Sequence, residues 1–395
     1  MKKGWTYKKL GELFPIIMGK TPPRDVARFW DTKKETHNLW VSIADLSKNE
    51  GKEIKETKEY ISNEAIGNIT KIKKGSLLVS FKLTLGKMAF AGDDLYTNEA
   101  IISLMQREDL SLKFLYYYFS ALDWGRLAGG SEKVKGKTLN KKSLSDIPVA
   151  YIPLPEQQRI VSRLDAAFAK IDELKTNAEK QLSEARALFQ KALTKAMEPK
   201  EGWAEKRIDE VCSIARGGSP RPIKDYITND PNGLNWIKIG DTDIGGKYIY
   251  STKEKIKPEG LKKSRWVEED EFLLSNSMSF GRPYILKTNG CIHDGWLVLR
   301  DYQKYLDIDF FYYVLSSEFV QKQFRTKAQG STVSNLNTDR VASVTIPVPS
   351  LSEQQRIVSR LDSLSAHVRE LEEVTQKTIA ECDALKQALL RKVFE

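Results

Sequence analysis

Side chains suited to binding nucleic acid lie in polar loops at matching places in the two halves of this chain. Lysine and arginine can neutralise phosphates, arginine and asparagine can hydrogen-bond to base edges, and glycine lets a backbone approach a phosphate closely. Each residue alone could equally belong to an ordinary solvated loop, but the paired placement in both halves favours DNA binding. The candidate DNA-binding residues are Lys20, Thr21, Arg24, Lys82, Lys87, Lys133, Lys135, Lys137, Arg216, Gly218, Ser219, Arg221, Lys224, Asn276, Arg282, Arg325, Lys327 and Ser331.

The segment Gly19-Lys20-Thr21 resembles the end of a nucleotide-binding P-loop. The first glycine of that motif would fall on Phe14, and Pro22 and Pro23 would disrupt the helix that should bind phosphate. The sequence therefore predicts no ATP site in this segment. An Asn-Pro-Pro-aromatic tetrapeptide and a glycine-rich loop after a strand are also missing, so we expect this chain neither to methylate adenine nor to bind a cofactor.

The histidines and cysteines do not form a catalytic or metal-binding pattern. The pair His293-Asp294 could be a fragment of a catalytic site, but the first half has Asn98-Glu99 at that place, so a surface or packing role is favoured. Isolated histidines and cysteines without CxxC spacing predict neither a zinc site nor a disulfide framework. These residues are His37, His293, His367, Cys212, Cys291 and Cys382.

A ten-residue string occurs twice without a change, at 156–165 and at 353–362. The copies lie about half the chain length apart, and each opens a long charged segment that follows a globular stretch. The chain is therefore a duplicated domain with its arm, and its period is too long for a solenoid. Two linked copies of a binding module predict a target in two parts. The predicted globular domains are 1–150 and 200–348, and the predicted helical spacers are 151–199 and 349–395.

Short strands and an aromatic helix recur in each globular half. Strands and helices do not alternate regularly, which disfavours a doubly wound sheet. The predicted fold class is α/β of the α+β type, with a small twisted sheet in each domain. The predicted strands cover 39–43, 76–81, 87–91, 100–105, 236–239, 272–275, 284–286 and 296–299, and the predicted helices cover 112–124 and 309–324.

Apolar residues in both arms recur alternately four and three positions apart, as in the seam of a coiled coil. Ser352 with Gln355 has the pattern of a capping box at the start of the second arm. The first arm must run back before the second domain begins, so we expect an antiparallel pair and a pseudo-twofold internal repeat. A coiled coil between chains is the main alternative. The predicted seam contains Ile160, Leu164, Ile171, Leu174, Leu188, Ile357, Leu361, Val368, Leu371 and Leu385.

The formal net charge of +10 and the isoelectric point near 9.1 favour a polyanionic partner, although many proteins are mildly basic. The N-terminal residues lack the apolar segment of a signal peptide, and no apolar run approaches the ~20 residues that span a bilayer. Scattered cysteines fit a reducing compartment. We therefore expect a cytoplasmic location and no membrane partner.

The chain resembles the specificity subunit of type I restriction-modification systems over essentially its whole length. The resemblance rests on the duplicated order of domain and helix, on Pro-Leu-Pro-Glu-Gln-Gln-Arg-Ile-Val at 153–161 with its counterpart at 352–358, and on Gly-Trp-x-x-x-x-Leu at 4–10 with its counterpart at 202–208. It implies two target recognition domains that read the halves of a split double-stranded DNA sequence, and helices that set the gap.

The resemblance also implies the partners and their cofactors. Two methyltransferase subunits would dock on the helices, carry S-adenosylmethionine and modify adenine. Two restriction subunits could join them, translocate DNA with ATP and Mg, and cleave it. This chain would bind none of these cofactors and would be non-catalytic.

Two alternatives from other classes stay open at the level of sequence. One is a coiled-coil adaptor or scaffold that joins proteins and binds no DNA, and the paired basic loops argue against it. The other is an enzyme that acts alone, as a methyltransferase or nuclease, and the missing cofactor loops argue against that.

Overall fold

The computed structural model describes residues 2, 4–128, 132–133, 136–242, 246–276, 280–328 and 336–395. The chain divides into two compact units, the first made of residues 1–177 with 377–395 and the second of residues 178–376. Each unit therefore contains a globular domain, the start of the arm that follows it and the end of the other arm.

The first unit contains short strands, short helices and the start of a long helix that continues into the second unit. Its strands are β1 (Thr6–Lys9), β2 (Ile17–Met18), β3 (Leu39–Val41), β4 (Glu53–Ile54), β5 (Glu59–Tyr60), β6 (Leu77–Ser80), β7 (Lys82–Leu83), β8 (Met88–Ala91), β9 (Tyr96–Thr97), β10 (Ile101–Leu104), β11 (Glu132–Lys133), β12 (Gly136–Thr138) and β13 (Pro148–Tyr151). Its helices are α1 (Leu10–Leu13), α2 (Ile43–Lys48), α3 (Leu112–Ala121), α4 (Trp124–Leu127), α5 (Lys141–Ser145) and α6 (Leu154–Met197).

The second unit likewise opens with a strand and a short helix and closes with a strand and a long helix. Its strands are β14 (Ala204–Arg207), β15 (Ser213–Arg216), β16 (Ile227–Thr228), β17 (Leu234–Ile237), β18 (Tyr248–Ile249), β19 (Glu254–Ile256), β20 (Arg265–Val267), β21 (Phe272–Ser275), β22 (Pro283–Leu286), β23 (Gly290–Ile292), β24 (Trp296–Arg300) and β25 (Thr345–Val348). Its helices are α7 (Ile208–Val211), α8 (Ile308–Ser316), α9 (Glu318–Ala328), α10 (Thr338–Ala342) and α11 (Leu351–Phe394).

The main sheet has the same strand order in both units. The order is β2-β10-β6-β8-β4 in the first unit and β15-β24-β21-β22-β18 in the second. In each unit the last strand is parallel to its neighbour, and the other neighbours are antiparallel. A second sheet accompanies it, β5-β3-β9 in the first unit and β16-β19-β17-β23-β20 in the second. The predicted α+β architecture and internal repeat are confirmed, and the second sheet of each unit is an addition to the prediction.

Alternate residues of the central strands enter different cores. Leu77 and Val79 of β6 pack in the cluster that contains Phe114 of α3, whereas Leu78 packs with Leu39 of β3. The strand β21 divides between two clusters in the same way. Successive strand residues point to opposite faces, so an unbroken apolar run is buried on both sides.

The two long helices run antiparallel where they meet within each unit. In the first unit Asp172 pairs with Lys386 at 2.5 Å, and Lys175 pairs with Asp383 at 3.4 Å. The residue numbers along the second helix therefore fall as those along the first helix rise. In the second unit Phe189 lies in the cluster that contains Leu361, and Arg186 pairs with Glu372 at 2.6 Å. The predicted pairing of the arms within the chain is confirmed.

The buried face of these helices differs from the predicted seam. Leu164 and Leu361 are buried as predicted, but Leu174, Leu188 and Leu385 are 55%, 65% and 49% exposed, so their assignment to the seam was wrong. The prediction used a strict heptad of 3.5 residues per turn, whereas a straight helix has ~3.6 and drifts by about 20° per heptad. Farther along each helix, the residues that face the partner helix therefore lie one position after the predicted ones. The other predicted seam residues, Ile160, Ile171, Ile357, Val368 and Leu371, are buried or half-buried.

Three local predictions also require correction. The helix predicted over 112–124 ends at Ala121, because Leu122 has extended backbone. The helix predicted over 309–324 is divided at Ser317, which is also extended. The second arm begins at Leu351, and Ser350 rather than Ser352 accepts a hydrogen bond from the first turn, from the Glu353 N–H at 3.4 Å.

Candidate nucleic-acid interface

Two segments in each unit frame the candidate interface. One follows the edge strand of the main sheet, β2 or β15, and contains prolines. The other precedes the neighbouring strand, β10 or β24. We call the first pair the proline loops, residues 19–25 and 217–224, and the second pair the adjacent turns, residues 98–100 and 293–295.

Glycine allows each proline loop to lie directly against the strand end or turn beside it. A Cβ atom at Gly19 would lie 2.1 Å from the Thr97 carbonyl oxygen, and one at Gly217 would lie 2.1 Å from the His293 carbonyl oxygen. A Cβ atom at Gly218 would lie 2.8 Å from the Lys263 carbonyl oxygen. No other residue fits these distances, so the glycines fix both loops at the equivalent place in the two units.

In the first unit the proline loop presents Arg24 on an aromatic base. The Arg24 guanidinium pairs with Glu59, and its Nη2 donates to Glu59 Oε2 at 3.2 Å. Its central carbon lies 4.0 Å from the centroid of the Trp30 ring, which is a cation–π contact. Thr21 Oγ1 donates to Glu99 of the adjacent turn. The carboxylate and the ring thus orient an arginine that remains open to solvent.

In the second unit several candidate residues meet at Asp294 of the adjacent turn. Ser219 Oγ donates to Asp294 Oδ1 at 2.5 Å, and Arg221 Nη2 lies 3.5 Å from Oδ2. Arg216 Nε and Asn276 Nδ2 donate to the Asp294 main-chain carbonyl at 3.0 and 2.9 Å. The Ser219 hydrogen bond, helped by the Arg221 charge, outweighs desolvation and lowers the pKa of Asp294. The carboxylate is therefore ionised near neutral pH.

The remaining candidates of these loops differ in their access to solvent. The Arg221 side chain is 80% exposed, and Lys20 and Lys224 are exposed as well. Asn276 is buried, so its amide secures the adjacent turn and does not reach the surface in this conformation. The exposed cations can contact phosphates, whereas Asn276 stabilises the adjacent turn from the protein interior.

A lysine-rich hairpin pairs with the turn that contains Lys82. Lys82 of β7 pairs with Thr138 of β12, and β11, which contains Lys133, pairs with the part of β12 that contains Lys137. The structure thus brings together, along the backbone, lysines that are far apart in sequence. Two candidates lie outside the described residues: Lys135 and Ser331.

The turn after β6 and the turn after β21 are closed by the same hydrogen bond. Ser80 Oγ accepts from the Lys87 N–H at 2.9 Å, and Ser275 Oγ accepts from the Arg282 N–H at 3.0 Å. Lys87 also pairs with Glu50 at 2.5 Å, whereas the Arg282 side chain is exposed. The two turns share a backbone frame and present different cations.

Helix α9 lies against the second of these turns. Gln321 Nε2 donates to the Gly281 carbonyl at 2.6 Å, and a Cβ atom at Gly281 would lie 3.0 Å from the Phe324 ring, so the first two turns of α9 contact this turn. The last turn of α9 contains Arg325, which pairs with Glu318, and Lys327, which is half-buried. These two candidates therefore lie on the helix that contacts the turn before Arg282.

The His293 ring has a packing role in the second adjacent turn, as the sequence predicted. Its Nδ1 accepts from the Gly295 N–H at 2.7 Å, and its Nε2 lies 3.3 Å from the Ile239 N–H. Burial lowers the pKa of His293 despite the opposing charge of Asp294. The ring also lines an open cleft of about 870 Å³ beside the proline loop.

Buried glutamines of the repeated string join each arm to its domain. Gln157 Oε1 accepts from the Ser111 N–H at 2.8 Å, and Nε2 donates to the Ile152 carbonyl at 2.8 Å. Gln354 Oε1 likewise accepts from the Asp307 N–H at 2.8 Å. The amides satisfy backbone groups at the start of the aromatic helices, which explains why this position is the same in both copies.

Tyrosine–aspartate pairs make a second connection between arm and domain. Tyr117 Oη donates to Asp165, and Tyr313 Oη donates to Asp362 at 2.6 Å. Burial, together with the neighbouring carboxylate, raises the pKa of each tyrosine. Both hydroxyls therefore stay protonated near neutral pH and act as hydrogen-bond donors to the aspartates.

The cation beside these pairs comes from different segments in the two units. In the first unit Lys113 of α3 lies 3.3 Å from Asp165. In the second unit Lys247, from the segment before β18, lies 2.5 Å from Asp309 and 3.7 Å from Asp362. Burial opposes the charge of Lys247, but the two carboxylates outweigh it and raise its pKa.

Sequence reasoning missed the acids Glu99 and Asp294, which organise the proline loops. The sequence pattern indicates Asp294 only as part of a possible catalytic fragment. The available signal was an acidic residue at the same place in both halves. The partners of these acids, Thr21 and Ser219, lie 78 and 75 residues away in sequence, so spacing alone does not connect them.

The described residues contain neither a metal-binding cluster nor a membrane-spanning helix. No group of histidine, cysteine and acidic side chains there could hold a metal ion. Burial raises the pKa of Cys212 to about 12 and that of Cys291 to about 11, so neither thiol is poised as a nucleophile. Within the same residues, no helix has the length and apolar character to cross a membrane.

The family model described as type I restriction modification DNA specificity domain matches residues 2–184 and 200–381. A candidate type I restriction enzyme specificity subunit of Haemophilus influenzae is 27% identical over 276 residues, which is 68% of this chain and 68% of that protein. The EcoBI specificity subunit of Escherichia coli is 22% identical over 327 residues, covering 75% of this chain and 68% of that protein. A chain from a solved structure on complex assembly and conformational transition of a type I R-M system has a TM-score of 0.77 at 21% identity, covering 100% of this chain and 98% of that chain.

Proposed function

The chain belongs to the type I restriction modification DNA specificity domain family, and from this premise we propose that it is the DNA-specificity subunit of a type I restriction-modification complex. In this proposal each unit reads one half of a split double-stranded target with its proline loop and the neighbouring basic residues. The observation that carries the proposal is the duplication: two units with the same strand order present different side chains on equivalent loops. One frame with two different surfaces suits two different half-sites.

The chain acts as a non-catalytic recognition subunit, as expected from relatives named specificity subunits. Methyl transfer to adenine and ATP-dependent cleavage belong, in this proposal, to partner subunits that carry S-adenosylmethionine, ATP and Mg. The alternative of a coiled-coil adaptor that binds no DNA has no support from the family match, which is to a DNA specificity domain.

Identical exposed side chains at the two arm starts support the docking of two copies of one modification subunit. Packing within the unit accounts for the buried members of the repeated string, such as Gln157, Ile160 and Leu164. Packing does not account for the exposed members, and two equal surfaces fit two equal partners. We therefore place one modification subunit at each arm start. The exposed members are Gln158, Arg159, Ser162 and Arg163 in the first copy and Gln355, Arg356, Ser359 and Arg360 in the second.

Sequencing of methylated bases in a host that carries this chain with its modification subunit tests the proposal. We expect a new methylated motif in two parts with a fixed gap, and no such motif in a host with the modification subunit alone. Binding of the purified complex to DNA should weaken steeply with salt, with a slope of about −0.9 per phosphate contacted. A contiguous motif, or DNA binding that is insensitive to salt, would overturn the proposal.

The arms set the gap between the half-sites in this proposal. One heptad adds about 10 Å to a helix at ~1.5 Å per residue, which is the length of about three base pairs. Insertion of one heptad into each arm should therefore lengthen the gap and leave both half-sites unchanged. An unchanged gap in the methylated motif would rule out the arms as spacers.

A further inference from the structure

Building on the proposed function, we infer that Asp294 and Glu99 are specificity-determining positioning residues, each for the half-site that its own unit reads. Neither is assigned to a base contact. Each holds the proline loop of its unit in the arrangement that discriminates between bases.

Asp294 sits where a negative charge is unfavourable for DNA binding. A carboxylate near the DNA surface repels phosphates, so its presence needs a compensating role. The compensation is visible in its contacts. Ser219 and Arg221 approach its two carboxylate oxygens, and Arg216 donates to its main-chain carbonyl. The side chains that could face DNA are thereby restrained by one residue.

The first unit contains the same kind of hydroxyl–carboxylate contact, with a glutamate in place of the aspartate. Thr21 occupies the place of Ser219 and donates to Glu99, which occupies the place of Asp294. Arg24 is held separately by Glu59. The longer acid and the separate arginine partner give the first loop another arrangement of donors, as two unlike half-sites require.

The arrangement predicts a specific effect of removing the carboxylate charge. Asp294→Asn keeps the side-chain shape, so the loop stays folded, but Arg221 loses its ionic partner and Ser219 its charged acceptor. Discrimination against mismatches in the half-site of the second unit should fall by about tenfold, the size of one lost specific base contact. Affinity for random DNA should be unchanged or higher, because a negative charge has been removed.

The test is a competition binding assay with the assembled complex, using duplexes with mismatches in either half-site and a random duplex. Glu99→Gln is the matched variant and should affect the other half-site only. Asp225→Asn removes an exposed acid next to the same loop and serves as the control for charge alone. It should leave discrimination in both halves unchanged.

A double-mutant cycle separates positioning from a direct base contact. If Asp294 acts through Ser219, then Ser219→Ala in the Asp294→Asn background should cause little further loss. Additive losses, an equal loss in both half-sites, or an equal loss for target and random DNA would overturn the inference. If the unaltered complex shows no preference for any sequence, the proposed function fails instead, so the two failures are distinguishable.

Discussion

The first unit holds its proline loop through Thr21 and Glu99, whereas the second unit gathers Ser219 and Arg221 around Asp294. The loops leave the same edge of sheets with the same strand order. At this edge the difference therefore lies in the side chains of the loops and not in the strand order of the main sheet. Different side chains on loops that leave the same strand order allow one scaffold to read two sequences.

The arm starts show the opposite behaviour. Gln157 and Gln354 make equivalent hydrogen bonds, and Tyr117 and Tyr313 reach equivalent aspartates. Here both units meet the same kind of helix and, in our proposal, the same partner. Identity is retained where the environment is shared.

The largest expected effect separates the buried from the exposed positions of the arms. Leu164→Ala and Leu361→Ala each empty a buried site and should lower the free energy of unfolding by about 3 kcal/mol. Leu174→Ala and Leu188→Ala, at exposed positions, should change it by less than about 0.5 kcal/mol. Chemical denaturation measures all four. Similar losses at buried and exposed positions would restore the strict heptad seam.

Removal of the buried glutamines should have equal effects in the two units. Gln157→Ala and Gln354→Ala each leave buried backbone groups without partners, for a loss of about 2 to 3 kcal/mol. Chemical denaturation of the two variants provides the comparison. A clear inequality would show that the two connections are not equivalent.

The lysines beside the tyrosine–aspartate pairs should behave unequally. The Lys247 side chain is 18% exposed and lies between two carboxylates, so Lys247→Met should cost about 2 kcal/mol. The Lys113 side chain is 44% exposed, and Lys113→Met should cost less than about 1 kcal/mol. The free energy of unfolding is again the measurement. A larger loss at Lys113 would contradict the assigned environments.

The smallest effect is a pH dependence limited to the second unit. Burial lowers the pKa of His293 below its unfolded value of 6.5, so below that pH the unfolded chain binds the proton more readily. The second unit should therefore lose stability as the pH falls through 6.5 toward the folded pKa, and regain it as the pH rises again. Asp294 and Asp241 oppose this shift, and Lys238 supports it.

The first unit offers the control for this pH effect, because Asn98 replaces the histidine there. In the His293→Asn variant, the stability of the second unit should change with pH in this range no more than the stability of the first unit does. Amide hydrogen exchange, measured separately for each unit, distinguishes a loss of stability in the second unit from a loss in both. An equal loss in both units would assign the titration to other groups.

The repeat made the architecture predictable, whereas side-chain partnerships were not. The identical strings predicted two arms and their antiparallel pairing, but the strict heptad misplaced Leu188, because helical drift adds up over several turns. The equivalence of Thr21 and Ser219 could be read from spacing. The pairing of these two hydroxyls with Glu99 and Asp294 could not be read from spacing, because the partners meet only after the sheet has formed. Lys247 was unpredictable for the same reason.

A hybrid chain tests the central claim most directly. In it, residues 200–348 are replaced by a second copy of residues 1–150, and the methylated motif is sequenced in a host that also carries the modification subunit. If each unit reads its own half-site, both parts of the new motif will contain the sequence that the natural first unit reads, with the gap preserved. A hybrid that forms the complex but keeps the natural second half-site would contradict the account.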